Sequence, residues 1–102
     1  MAYFFYKLVA PRLTFPADMT PEEAELMQRH VVYWRGWMEA GHVIAFGPVA
    51  DPRGTFGVAI TRLDEGMDPQ SLAARDPVVA AGLGFHYEVH PMPSVVLPSP
   101  PA

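Results

Sequence analysis

The segment from Ala2 to Ala10 reads Ala-Tyr-Phe-Phe-Tyr-Lys-Leu-Val-Ala, and its aromatic and β-branched residues favour the pleated conformation of a strand. Side chains alternate across a strand, so Phe4, Tyr6 and Leu8 share one face while Tyr3, Phe5 and Val9 share the other. A strand that is apolar on both faces has to be covered on both. That requirement governs every architecture open to this chain, because 102 residues make a single domain with few elements to do the covering.

Helix signals come next. Pro11 to Met19 reads as a loop, and Thr20-Pro21-Glu22-Glu23 places an N-cap, a proline at the first helical position and the glutamate of a capping box in succession. Gly41 follows Met38-Glu39-Ala40 where a left-handed C-cap belongs, so a helix is predicted over 21–40. Val43 to Phe46 and Phe56 to Ile60 form a hairpin around the Asp51-Pro52-Arg53-Gly54 turn, with Gly47-Pro48 read as a bulge or strand end. Asp68-Pro69 and Asp76-Pro77 predict short helical pieces over 69–75 and 77–82. A last strand runs from Phe85 to Val89, and prolines 91, 93, 98, 100 and 101 preclude regular structure beyond it. The chain therefore divides into an ordered domain over 1–92 and a Pro-rich tail over 93–102.

The order βαββαβ predicts an α+β, ferredoxin-like fold with a largely antiparallel sheet and both helices on one face. Two helices leave the second sheet face bare, and the simplest cover is another copy of the chain.

Composition narrows the function classes. A net charge of −4 with no basic run argues against nucleic acid or an anionic membrane as partner. The absence of cysteine removes thiol nucleophiles, disulfides and thiolate metal sites. No apolar run reaches membrane-spanning length and the N-terminus lacks a secretory pattern, so the expected location is cytoplasmic. Dinucleotide, phosphate-loop, serine-hydrolase and zincin motifs are missing from the sequence. His86, Glu88 and His90 share one face of the last strand, but nearly 7 Å separates successive same-face positions, and no metal or other cofactor is expected.

On a helical projection His30 falls at the centre of the apolar stripe, flanked by Met27 and Trp34 on one side and Leu26 and Trp37 on the other, and it points towards the sheet. Such a histidine must find a hydrogen-bond partner. It is either a core residue bonded to a backbone carbonyl or a general base. Asp76, read alone, is a helix cap.

Taken together, the first strand, His30, Gly41, Gly47-Pro48 followed by Asp51, the run Asp76-Pro77-Val78-Val79-Ala80-Ala81-Gly82 and the final His86-Tyr87-Glu88-Val89-His90-Pro91 resemble the YciI-like (YCII-related) family over residues 2 to about 92. The resemblance implies a dimeric α+β barrel, two ferredoxin-like sheets packed face to face. It also implies that His30 and Asp76 form a His-Asp pair in an active site.

The expected function is a small cofactor-independent enzyme that moves a proton on a small organic substrate, cyclic ones included, as an isomerase, lyase or dehydrochlorinase would. Tyr6, Trp34, Trp37, Phe46, Gly47, Pro48 and Asp51 are the candidate pocket residues. The competing expectation is a non-catalytic dimeric module that binds a small ligand or another protein.

Overall fold

Each end of the long helix is closed by the residues that announced it. Thr20 Oγ1 accepts from the Glu23 N–H at 3.1 Å and the Glu23 carboxylate accepts from the Thr20 N–H at 2.9 Å, completing the capping box. At the far end Gly41 takes φ 90°, and the N–H groups of Gly41 and His42 donate to the carbonyls of Met38 and Trp37 at 3.0 and 2.9 Å, a Schellman closure that needs the left-handed backbone glycine supplies.

The computed structural model describes residues 1–99 in the order β1 (Ala2–Val9), α1 (Pro21–Glu39), β2 (Val43–Val49), β3 (Phe56–Leu63), α2 (Pro69–Ala74), α3 (Pro77–Ala80) and β4 (His86–Met92). The strands form one antiparallel sheet ordered β2-β3-β1-β4, the ferredoxin-like arrangement with β1 and β3 at its centre. Tyr6 faces Ala59 on β3 and Val89 on β4 across the ladder, and with Leu8 it is buried beneath the helices. Tyr3, Phe5 and Val9 lie on the opposite face, half-buried among their sheet neighbours. No helix among the described residues is long and apolar enough to cross a membrane.

Two proline expectations are corrected. β2 continues through Gly47-Pro48 to Val49, with Pro48 opposite Gly57, and its register shift lies instead between Val43 and Ala45. β4 continues through Pro91, opposite Phe4, to Met92. Both are edge strands, where a proline can turn its bare nitrogen to the unpaired side without removing a ladder bond. Residues 93–99 have no regular structure; the last part of the expected tail, 100–102, lies outside the described residues.

The core has two clusters. Tyr6, Trp34, Val43, Leu63 and Leu72 anchor one; Leu8, Phe15, Leu26, Val78 and Phe85 anchor the other. The second depends on the loop 11–19, which folds back so that Phe15 meets the Phe85 ring edge-on at 5.2 Å. Arg12 holds that loop: its guanidinium bonds Asp18 at 2.9 Å and forks onto the buried Glu23 carboxylate at 2.6 and 2.8 Å. One carboxylate thus caps α1 and anchors the preceding loop.

Arg12 holds the Glu23 carboxyl at about 2, well below its ordinary 4.5. On acidification the unfolded chain therefore takes up this proton first. The stabilisation is complete above pH 4.5 and is lost as pH falls through about 2. Denaturant titrations across that window are expected to show Arg12→Met both less stable at neutral pH and less sensitive to acid than the native chain.

Candidate active site

Asp76 has no solvent exposure, and a buried carboxylate survives only when donors surround it. As N-cap of α3 it accepts the Val78 N–H on Oδ1 at 3.1 Å. Its other oxygen, Oδ2, meets His30 Nδ1 at 2.6 Å and accepts from Trp34 Nε1–H at 2.8 Å and the Tyr87 hydroxyl at 2.6 Å. Trp34 Nε1 also lies 2.8 Å from the Tyr87 oxygen, so one indole N–H is shared between the two acceptors.

These contacts decide the charge of Asp76. Burial alone would raise its carboxyl, but the bonds from His30, Tyr87 and the Val78 N–H outweigh burial and hold it below the ordinary carboxylate range. No neighbour in the set needs an acid proton, because Trp34 and the backbone N–H can only donate. Burial and the adjacent Asp76 charge push the Tyr87 hydroxyl well up, so it stays protonated and donates.

An ionised Asp76 fixes the tautomer of His30. Nδ1 must carry the proton it gives to Oδ2, leaving Nε2 as the working nitrogen. Nε2 makes no hydrogen bond with the described residues. The buried polar side-chain atoms left without a partner there are Thr61 Oγ1 and Arg62 Nε, so Nε2 reaches solvent. It does so beside a cleft of about 510 Å³ between α1 and the β2 edge, lined by Leu8, Met27, His30, Val31, Met38 and Phe46 together with Arg35, Gly47, Pro48 and Gly57.

The expected centre of the helix stripe is accordingly shifted. The fully buried seam of α1 is Glu23, Leu26 and Trp34; His30, 15% exposed at its side chain, stands at the margin where the cleft opens. Gly57, on the helix side opposite Pro48, also lines the cleft and lets Leu8 pack close. A Cβ there would come within 3.2 Å of Leu8 Cβ. Gly47 lines the cleft as well, and a Cβ on it would meet open space.

Of the other candidates, Phe46 and Pro48 line the cleft. Trp34 stands behind His30 as a fixed, fully buried support. Tyr6 is core, its hydroxyl donating to the Pro69 carbonyl at 3.0 Å and its ring edge-on to Trp34 and Tyr87. Trp37 sits on another flank, 5.8 Å from the His42 ring and beneath Arg75. Asp51 closes the β2–β3 turn by accepting the Arg53 N–H at 2.9 Å, beside a separate recess with Lys7 and Arg12. His86, Glu88 and His90 point along the outer face of β4, and no grouping of three potential metal ligands occurs among the described residues.

Sequence reasoning missed Tyr87 and Gly57. Alternation did place Tyr87 on the inner face with Phe85 and Val89, and a buried tyrosine hydroxyl needs a polar partner; that was the available signal.

Replacing Asp76 by Asn is expected to turn donors towards donors, costing about 2–4 kcal/mol in denaturant titration. It also releases the His30 tautomer, which ¹⁵N NMR of the imidazole reads directly as loss of the Nδ1-protonated form.

Two comparisons bear on identity. No curated protein matches the chain. A family model described as YCII-related domain matches residues 1–93, which takes in all seven elements of the fold and both members of the His30–Asp76 pair, and the chain belongs to that YCII-related family.

Proposed function

We propose that this protein is a cofactor-independent enzyme in which His30 transfers a proton to or from a small organic substrate, with Asp76 as its orienting partner. The observation that carries this reading is the 2.6 Å contact between His30 Nδ1 and Asp76 Oδ2 on a ring that itself lines an apolar cleft. A ring bonded only to a backbone carbonyl in a sealed core would have favoured the non-catalytic module.

The step follows from the parts. The neutral Nε2 lone pair takes a proton from a carbon next to an electron-withdrawing group. The C–H electron pair moves into that group, and the imidazolium so formed is stabilised by the Asp76 carboxylate. Returning the proton to another carbon of the conjugated system is an isomerisation; expelling a leaving group from the neighbouring carbon is an elimination, of which loss of chloride is one case. The apolar walls slow the escape of the intermediate to water and strengthen the electrostatics around it. Such chemistry needs no oxidising compartment and suits a cytoplasmic chain without cysteine.

We propose further that a second copy covers the open sheet face. Tyr3, Phe5, Val9, Val58 and Ile60 are half-buried there, apolar side chains that the helices on the other face cannot reach.

Proton transfer is tested by incubating the full chain in D₂O with small conjugated ketones, lactones and halogenated cyclic acids and reading deuterium uptake by NMR. Uptake by the native chain, reduced at least about 100-fold in a folded His30→Gln variant, is expected; equal uptake by both would sink the reading. For the assembly, light scattering is expected to give twice the chain mass, and half that for Phe5→Glu. A native chain that elutes as a monomer overturns the second proposal.

A further inference from the structure

The cleft beside His30 has one other ionisable side chain, Arg35, and no carboxylate in its lining. Four of the other five arginines have a partner. Arg12 pairs with Asp18 and Glu23, Arg29 with Glu25 and Arg53 with Asp51. Arg75 stacks over Trp37 and bonds the Ser71 carbonyl, while Arg62 lies on β3 with its Nε buried and without a hydrogen-bond partner, outside the lining of this cleft. Arg35 makes no hydrogen bond, ion pair or ring stack among the described residues, yet it stands at the mouth of an otherwise apolar cleft.

Its position matters as much as its freedom. Arg35 follows His30 by five residues, a rise of about 7.5 Å along the helix at 1.5 Å per residue. The long side chain can lay its methylenes on the apolar wall and bring its head over the opening. A guanidinium is a planar fork matched to a carboxylate, which it can hold through two parallel hydrogen bonds. With a single guanidinium and walls such as Met27, Val31, Met38 and Phe46, the cleft suits one negative charge on an apolar body. A polyphosphate would demand more cations. The volume of about 510 Å³ falls within the range of small-ligand pockets, roughly 300 to 1,000 Å³.

We infer that the substrate is a small organic monocarboxylate, its carboxylate held by Arg35 at the mouth of the cleft and its apolar, ring-sized body carrying the reactive C–H to His30 Nε2. The inference rests on the proton-transfer reading for what happens at Nε2. Carboxylate selectivity is a binding property, and it is measured without turnover.

The probes are benzoate and cyclohexanecarboxylate, each against its neutral carboxamide, titrated into the full chain and followed by NMR at the His30 ring and the Arg35 side chain. Both carboxylates are expected to shift both residues saturably and to bind roughly tenfold more tightly than the amides. Arg35→Gln is expected to erase that preference with an unchanged thermal midpoint, since Arg35 supports no contact in the fold. Arg29→Gln, which alters an arginine on the far side of α1, is expected to keep it. Equal affinity for acid and amide, a preference that survives Arg35→Gln, or no saturable shift with either carboxylate overturns the inference. Selective carboxylate binding without deuterium uptake from any compound tested leaves the Arg35 carboxylate site standing and removes the catalytic reading; uptake confined to neutral substrates does the reverse.

Discussion

The Asp76 carboxylate sits with no exposure among donors from three different elements: His30 and Trp34 on α1, Val78 on α3 and Tyr87 on β4. Removing a charge from water costs several kcal/mol even after relaxation, so each donor has to stay in place and the elements carrying them are held to one arrangement. The carboxylate also lies at the seam of the core. Trp34 belongs to one apolar cluster and Val78 to the other, while Tyr87 packs against both. Apolar burial supplies the bulk of the stabilisation without direction; the carboxylate adds direction, because a small slide of α1 against β4 would leave a buried charge short of partners.

What could be read from the sequence is what local chemistry determines. Thr20, Pro21, Glu23 and Gly41 act within a turn of where they stand, and so do Asp68-Pro69 and Asp76-Pro77; all of them mark the ends of helices in the structure. The two-sided apolar pattern of β1 announced a strand, and that strand lies inside the sheet between β3 and β4. Pro48 and Pro91 were misjudged because whether a proline ends a strand depends on whether that strand is an edge, which is a property of the whole sheet. Gly57 was passed over for a related reason: only the register of β3 against β1 and β2 shows that it faces the helices.

The site was legible in a different way. His30 and Asp76 are 46 residues apart, and no periodicity links them; their pairing was expected from family resemblance, while the residues alone offered a lone helix histidine and a helix cap. Tyr87 shows the same limit, since alternation gives its face but not its partner. The fork of Arg12 onto Glu23 was hidden for want of any local rule joining a loop arginine to a residue already employed in a capping box.

The two readings of Asp76, cap or catalytic partner, are divided between its two oxygens. Capping α3 uses Oδ1 alone, and for that purpose Ser, Thr or Asn serves about as well. None of them offers a second anionic oxygen. Oδ2 gathers three donors that contribute nothing to the cap, and a well-packed apolar substitute for such a buried polar cluster is often neutral or stabilising. Stability therefore explains a capping residue at this position but not a carboxylate. What an aspartate adds is found at the imidazole: an anion on which His30, Trp34 and Tyr87 converge fixes the proton on Nδ1 and would favour the positive charge that the ring acquires in the proposed proton transfer. Trp34 and Tyr87 thus belong to the Asp76–His30 cluster without lining the cleft, and the fold bears the desolvation of Asp76 where four donors converge on it.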